Sequence, residues 1–234
     1  MKRIKNKHLP YHIATIKSKA SKTIVLYHGW GSKVEGLLDV AETLFEEGFS
    51  VVIPELIYHD SRGPFANHFQ PDIMQSYFWK TIFHSIDEFP KLLQSIDEKM
   101  EDVVLLGSSM GGFIANGIAS KHSLGGLISV NGSGSFVRSE TLFRKRDGRG
   151  EIPNNLLKGL KNYDLVEQAC TLTPTLFLHG ECDAIVPICG QEDYFRKVME
   201  ENRSHAEFRR YPGVGHEFTD EMVNDVLAWL HKLS

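Results

Sequence analysis

The chain has too few cysteines to build a disulfide framework. Its three thiols, Cys170, Cys182 and Cys189, are an odd, small set for 234 residues. Cys182 and Cys189 lack metal-ligand spacing, and no nearby histidine pair completes a tetrahedral set. Reduced, partly buried thiols are the expectation, with a redox role for Cys182 the alternative. Long apolar runs are also missing: none approaches the roughly 20 residues that span a bilayer. Positive charge is not in excess. With 26 Lys and Arg against 30 Asp and Glu, the formal net charge is −4, which gives no electrostatic reason to expect nucleic acid or an anionic membrane as partner. The N-terminus is basic at Lys2, Arg3, Lys5 and Lys7, but no apolar h-region follows. A secretory signal is therefore not expected, and a cytoplasmic location is the simplest expectation. No repeat, low-complexity tract or composition break divides the sequence, so one domain is expected over 1–234.

What is present is an ordinary globular composition, 41% hydrophobic and 24% charged, at a length that buries a substantial core. Short apolar runs read as buried strands at Thr23–Tyr27, Ser50–Ile53, Asp102–Leu106, Gly125–Val130, Thr175–Leu178 and Ala206–Tyr211. Between them lie amphipathic stretches at Val34–Glu47, Ile73–Lys99, Met110–Lys121, Gln191–Glu201 and Thr219–Leu233, with Pro90 predicting a break or a second helix start in the second. Such alternation predicts a mainly parallel sheet covered on both faces. The short N-terminal stretch leaves room for one or two antiparallel strands before it. Ligands of such sheets bind beyond the carboxyl ends of the strands.

One strand exit carries a motif. Val103 to Leu106 runs into Gly107-Ser108-Ser109-Met110-Gly111-Gly112, a Gly-x-Ser-x-Gly frame followed by a helix. That order of strand, sharp turn and helix is the nucleophile elbow, in which glycines flank a serine held on a strained turn. The frame selects Ser109, because Ser108 would need glycine at Leu106 and Met110. In a chain with 20 glycines the frame can arise by chance, and a glycine-rich turn with solvent-facing serines is the bland reading. Partners elsewhere decide.

A serine hydroxyl needs a neighbouring base, and the base an orienting acid. The strand ending at His179-Gly180 exits through Glu181-Cys182-Asp183-Ala184-Ile185-Val186-Pro187, which offers Asp183 as the acid. The glycine-rich segment Gly213-Val214-Gly215-His216 offers His216 as the base. Glu181 stands immediately at the strand end and ranks below Asp183. His205 and His231 sit poorly for a base, and His28 and His179 close apolar strands, where a buried, hydrogen-bonded histidine is expected. The order Ser109, Asp183, His216 is that of the α/β-hydrolase triad. The oxyanion donors would be the backbone N–H groups of Trp30, in His28-Gly29-Trp30-Gly31, and of Met110.

Together these residues resemble an α/β-hydrolase over Thr23 to Leu233. The pattern His179-Gly-Glu-Cys-Asp183-Ala-Ile-Val-Pro in particular is similar to prolyl-oligopeptidase-related and dienelactone-hydrolase-like bacterial esterases. The resemblance implies hydrolysis of carboxylic esters, thioesters or, less often, peptide bonds through an acyl-enzyme, with no cofactor and no metal. The chain departs from the dienelactone hydrolases in offering serine where they carry cysteine. A serine hydrolase acting on a small-molecule ester of small to medium size is the leading expectation. A thioesterase or aminopeptidase-like amidase would share the machinery. A ligand-binding protein on a hydrolase fold is the alternative of another class, though such proteins usually lose a triad member or an elbow glycine.

Two segments could roof the site. Glu55 to Lys80 is rich in aromatics, among them Tyr58, Phe65, Phe69, Tyr77, Phe78 and Trp79. The segment 132–162, a possible lid, carries Arg138, Arg144, Lys145, Arg146 and Arg149. These cations read either as a solvated surface run or as an anchor for an acidic substrate group.

Overall fold

The computed structural model describes residues 1–5, 9–14, 22–166, 173–200 and 205–233. Eight strands form one sheet: β1 (Lys2–Ile4), β2 (Tyr11–Ala14), β3 (Thr23–Tyr27), β4 (Ser50–Pro54), β5 (Val103–Ser108), β6 (Gly126–Val130), β7 (Thr175–Gly180) and β8 (Ala206–Tyr211). Their spatial order is β1-β2-β4-β3-β5-β6-β7-β8. The first two strands pair antiparallel, as does β2 with β4, and every later pairing is parallel.

The continuous apolar runs have a physical reason, since both faces of the sheet are covered. In β3, Val25 and Tyr27 enter one core while Ile24 and Leu26 enter the other. In β5, Val103 and Leu105 face the first core, and Val104 and Leu106 the second. A period of two with both phases apolar is what a central parallel strand requires. Helices α1 (Leu38–Glu46) and α7 (Asp220–Leu233) seal the second core through Ala41, Leu44, Met222, Val226 and Leu230. The first is sealed by α2 (Pro71–Ile96), α3 (Met110–Lys121), α4 (Phe136–Arg146), α5 (Asn154–Tyr163) and α6 (Cys189–Glu200).

Two expectations shift. The stretch from Val34 begins as a 3-10 turn over Val34–Leu37 before α1. Pro90 neither breaks nor starts a helix, for α2 runs through it from Pro71 to Ile96. Proline in a helix interior removes one hydrogen bond and crowds the preceding turn. Here Pro90 is exposed, while Ile82, Ile86, Phe89 and Leu92 bury their side chains on the sheet side. Fully burying one such side chain is worth about 1.5–3 kcal/mol, so their sum outweighs the defect.

The antiparallel edge is fixed by a buried carboxylate. Glu55, just past β4, is 1% exposed. It accepts hydrogen bonds from Arg3 of β1, His12 of β2 and the N–H and hydroxyl of Ser61. Burial alone would raise this carboxyl, but the bonds from Arg3 and Ser61 outweigh it and hold it at about 2. A depressed carboxylate stabilises the fold fully above its unfolded value, about 4.5, and that contribution is lost as pH falls through about 2. Accordingly, the gap in urea midpoint between wild type and Glu55→Gln should narrow steadily below about pH 4.5; a pH-independent gap would contradict the assignment.

Candidate active site

The elbow is held by backbone contacts that tolerate no side chain. Ser109 stands at φ 57° and ψ −120°, between the end of β5 and the start of α3. A Cβ on Gly107 would lie 2.0 Å from the Gly111 carbonyl oxygen, and one on Gly111 only 1.9 Å from that of Tyr27. The turn is held by main-chain bonds: Ser109 N–H donates to Val130 O of β6 at 2.9 Å, and Ser109 O accepts from Gly112 N–H at 2.9 Å. Ser109, not Ser108, is the serine that reaches the histidine.

The three residues named from the sequence converge. His216 Nε2 lies 2.8 Å from Ser109 Oγ, and His216 Nδ1 lies 2.6 Å from Asp183 Oδ2. A carboxylate can only accept, so Nδ1 carries the proton and Nε2 presents a lone pair to the serine hydroxyl. Asp183 is buried. Its Oδ1 accepts from the N–H groups of Ile185 and Val186, each at 2.9 Å. Burial would raise this carboxyl, but hydrogen bonds from His179, His216 and Val186 overcome it and hold the group well below the usual carboxylate range. Glu181 is exposed and stands apart. His205 is exposed, and the exposed His231 pairs with Glu47.

His179 is fully buried, with Nε2 2.9 Å from Val186 O and 3.4 Å from Asp183 Oδ2. It is thus a hydrogen-bonded support beneath the acid loop, as expected of a histidine closing an apolar strand. The acid and histidine loops are tied to each other through the main chain. Glu181 N–H donates to Tyr211 O and Cys182 N–H to Val214 O. Asn131, at the end of β6, completes the frame: its Nδ2 donates to Glu217 O at 2.7 Å and its Oδ1 accepts from Gly180 N–H at 2.9 Å. Asn131 was not singled out in the sequence, where nothing in the pattern after β6 marks it.

The Gly29–Trp30 loop lies against the serine. A Cβ on Gly29 would be 3.3 Å from Ser109 Cβ and 3.7 Å from its Oγ. The backbone N–H groups of Trp30 and Met110 have no acceptor among the described residues. Above Ser109 opens a cavity of about 470 Å³, walled by Trp30, Met74, Phe78, Phe143, Val186 and His216. Phe69 and Ile185, 66% and 55% exposed, also border it.

The basic run of segment 132–162 is largely paired within the protein. Buried Glu140 accepts from Arg144, Arg149 and the indole N–H of Trp79. Asp147 pairs with Arg146 and Arg149, and Arg146 Nη1 donates to Ile185 O at 2.9 Å, joining α4 to the acid loop. Cys182 and Cys189 are both free thiols, and Cys170 lies outside the described residues. Among the described residues, no group of three His, Cys, Asp or Glu is arranged to hold a metal ion, and no helix is long and apolar enough to cross a membrane.

A doubly covered sheet of this order, with a serine elbow after β5, defines an α/β-hydrolase. The chain belongs to the dienelactone hydrolase family, whose profile matches residues 11–226. It is 27% identical over 225 residues to the Bacillus subtilis (strain 168) protein named "Putative esterase YitV", covering 88% of this chain and 85% of that one. Acyl-protein thioesterase 1 of Gibberella zeae is 29% identical over 121 residues, 51% of each chain. Among solved structures, TT1662 from Thermus thermophilus matches with a TM-score of 0.79 at 19% identity, over 99% of this chain and 96% of that one.

The elbow predicts its own intolerance. Gly111→Ala forces backbone against backbone and should cost about 3 kcal/mol, at the upper end of the usual overpacking range. For a domain of this size that lowers Tm by about 6–12 °C, measurable by calorimetry.

Proposed function

We propose that the protein is a serine hydrolase of carboxylic esters, working through Ser109, His216 and Asp183. The observation that carries this reading is the unbroken hydrogen-bond chain Asp183–His216–Ser109 at 2.6 and 2.8 Å. Ser109 Oγ attacks the ester carbonyl carbon while His216 Nε2 takes its proton. Asp183 holds the imidazole in the required tautomer and stabilises the imidazolium. The Trp30 and Met110 N–H groups, without other acceptors among the described residues, receive the negative charge that develops on the carbonyl oxygen. Collapse expels the alcohol, protonated by His216, and leaves an acyl-Ser109. Water, deprotonated in turn by His216, then releases the acid.

The apolar cavity beside Ser109 favours an aliphatic or aromatic group on one side of the ester bond. Segment 132–162 serves as its roof, since Phe143, Arg146 and Arg149 line the same space. The similarity to an acyl-protein thioesterase over half the chain favours thioesters as a second substrate class on the same machinery. The charge pairing of Arg144, Arg146 and Arg149 favours a structural role for these arginines.

Ser109→Ala should reduce p-nitrophenyl butyrate turnover to near background and abolish labelling by a fluorophosphonate; wild-type-like turnover would sink the assignment. Asp183→Asn should lower kcat by about 10⁴-fold, as when a triad carboxylate is neutralised. Across p-nitrophenyl esters of increasing acyl length, kcat/KM should rise about fourfold per methylene, equivalent to about 0.8 kcal/mol, until the cavity fills. A flat series would place the apolar cavity on the leaving-group side. Matched oxygen and thioester substrates then rank the two classes.

A further inference from the structure

Under the Gly29–Trp30 loop lies a histidine that the proposed reaction does not use. His59, in the segment between β4 and α2, is 1% exposed. Its Nε2 stands 3.1 Å from the backbone nitrogen of Gly31, and its Nδ1 stands 3.0 Å from Ile57 O. The partners fix its tautomer. A carbonyl only accepts, so Nδ1 bears the proton; Gly31 N–H only donates, so Nε2 is the bare acceptor. Neighbouring rings hold the imidazole in place: His68 at 4.4 Å between centroids, and His28 and Trp30 at 5.1 Å each. His28 in turn pairs through Nε2 with Asp60.

The acceptor meets the loop at its most alterable bond. Ser32 N–H donates to Gly29 O at 3.2 Å, and Gly31 has φ +72°. These are the marks of a type II turn over Gly29–Ser32, with glycine at the third position. Types I and II differ by a flip of the central peptide, here the one joining Trp30 to Gly31. The N–H of that peptide is the group His59 accepts. Removing the acceptor leaves that N–H without its partner and removes one bond that favours this form over the flipped one.

We propose that His59 is a positioning residue for the oxyanion hole: by accepting from Gly31 N–H it anchors the Gly29–Ser32 turn to the segment between β4 and α2, and so fixes where the neighbouring Trp30 N–H meets the reacting carbonyl oxygen. The proposal rests on the ester-hydrolase reading. It also explains why Gly31 N–H is not itself an oxyanion donor, since His59 already occupies it. His59 acts as a neutral ring: burial, with smaller contributions from His28 and His68, pushes it down to about 4. The groups facing it are His28, His68, Asp60 and the indole of Trp30.

The test compares His59→Leu, which removes the acceptor, with His59→Gln, whose amide oxygen can accept from Gly31 and whose amide N–H can donate to Ile57. For the leucine variant kcat on p-nitrophenyl butyrate should fall about 10- to 100-fold, below the full loss of an oxyanion donor. KM should stay within about twofold, and inhibition by a short alkylboronic acid, a tetrahedral mimic, should weaken in step with kcat. The glutamine variant should recover most of both. A leucine variant with unchanged kcat, or one that loses kcat while boronate affinity holds, overturns the proposal. Should leucine not fold, His59→Asn, too short to reach Gly31, replaces it with the same expectations. Independently, nitrogen NMR of the wild type at pH 7 should find His59 protonated on Nδ1 and bare on Nε2; the opposite tautomer also overturns it. Failure of Ser109→Ala to abolish wild-type turnover strikes the ester-hydrolase reading instead, so the two failures are distinguishable.

Discussion

Everything near the site hangs on one close approach of main chain to main chain, where the start of α3 passes the end of β3. With no side chains at Gly107 and Gly111, the turn can fold back until a methyl group would sit 1.9 Å from the Tyr27 carbonyl oxygen. That proximity forces Ser109 into positive φ, a conformation that costs a non-glycine residue on the order of 1–3 kcal/mol. The surroundings over-determine it. The Ser109 N–H is bound to β6, its carbonyl to the first turn of α3, and α3 is buried from Met110 to Ala119. Strain at one residue is therefore carried by a helix and three strands, and the hydroxyl is held clear of the sheet with little freedom to move.

Most of the architecture was legible in the sequence because it follows from short-range chemistry. Doubly apolar strands announce a covered parallel sheet, and Gly107-Ser108-Ser109-Met110-Gly111 announces a turn that nothing larger than glycine can make. The positions of Asp183 and His216 were legible because each follows a readable strand. What escaped notice is of another kind. Asn131, Glu55 and His59 act through side-chain contacts with main chain or charges distant in sequence, and such contacts leave no periodic trace. Pro90 misled because local propensity argues for a break, whereas four side chains buried along the same helix, Ile82, Ile86, Phe89 and Leu92, decide the matter.

The basic run in 132–162 shows the limit of reading charge from composition. Its arginines looked like a solvated surface or an anion anchor. Glu140, Asp147 and the Ile185 carbonyl, scattered along the chain, turn several of them into braces between α4, α2 and the acid loop. A carboxylate 2% exposed needs such company, because an unpaired buried charge is far costlier than an exposed one. The aromatic content of 55–80 divides similarly, with Trp79 taken into the core and Phe78 left on the cavity wall.

The main-chain bonds between the acid and histidine loops have a mechanical consequence. Strands β7 and β8 pair along their length, and the loops beyond them stay joined by Glu181 to Tyr211 and Cys182 to Val214. Asp183 and His216 are therefore held to each other through the main chain, while Ser109 is held between β5 and α3, with only β6 separating β5 from β7 in the same sheet. Of the bonds between the two, the one from Ser109 to His216 is the one that the proposed reaction would break and remake, while Asn131, beside β6, braces both loops around it.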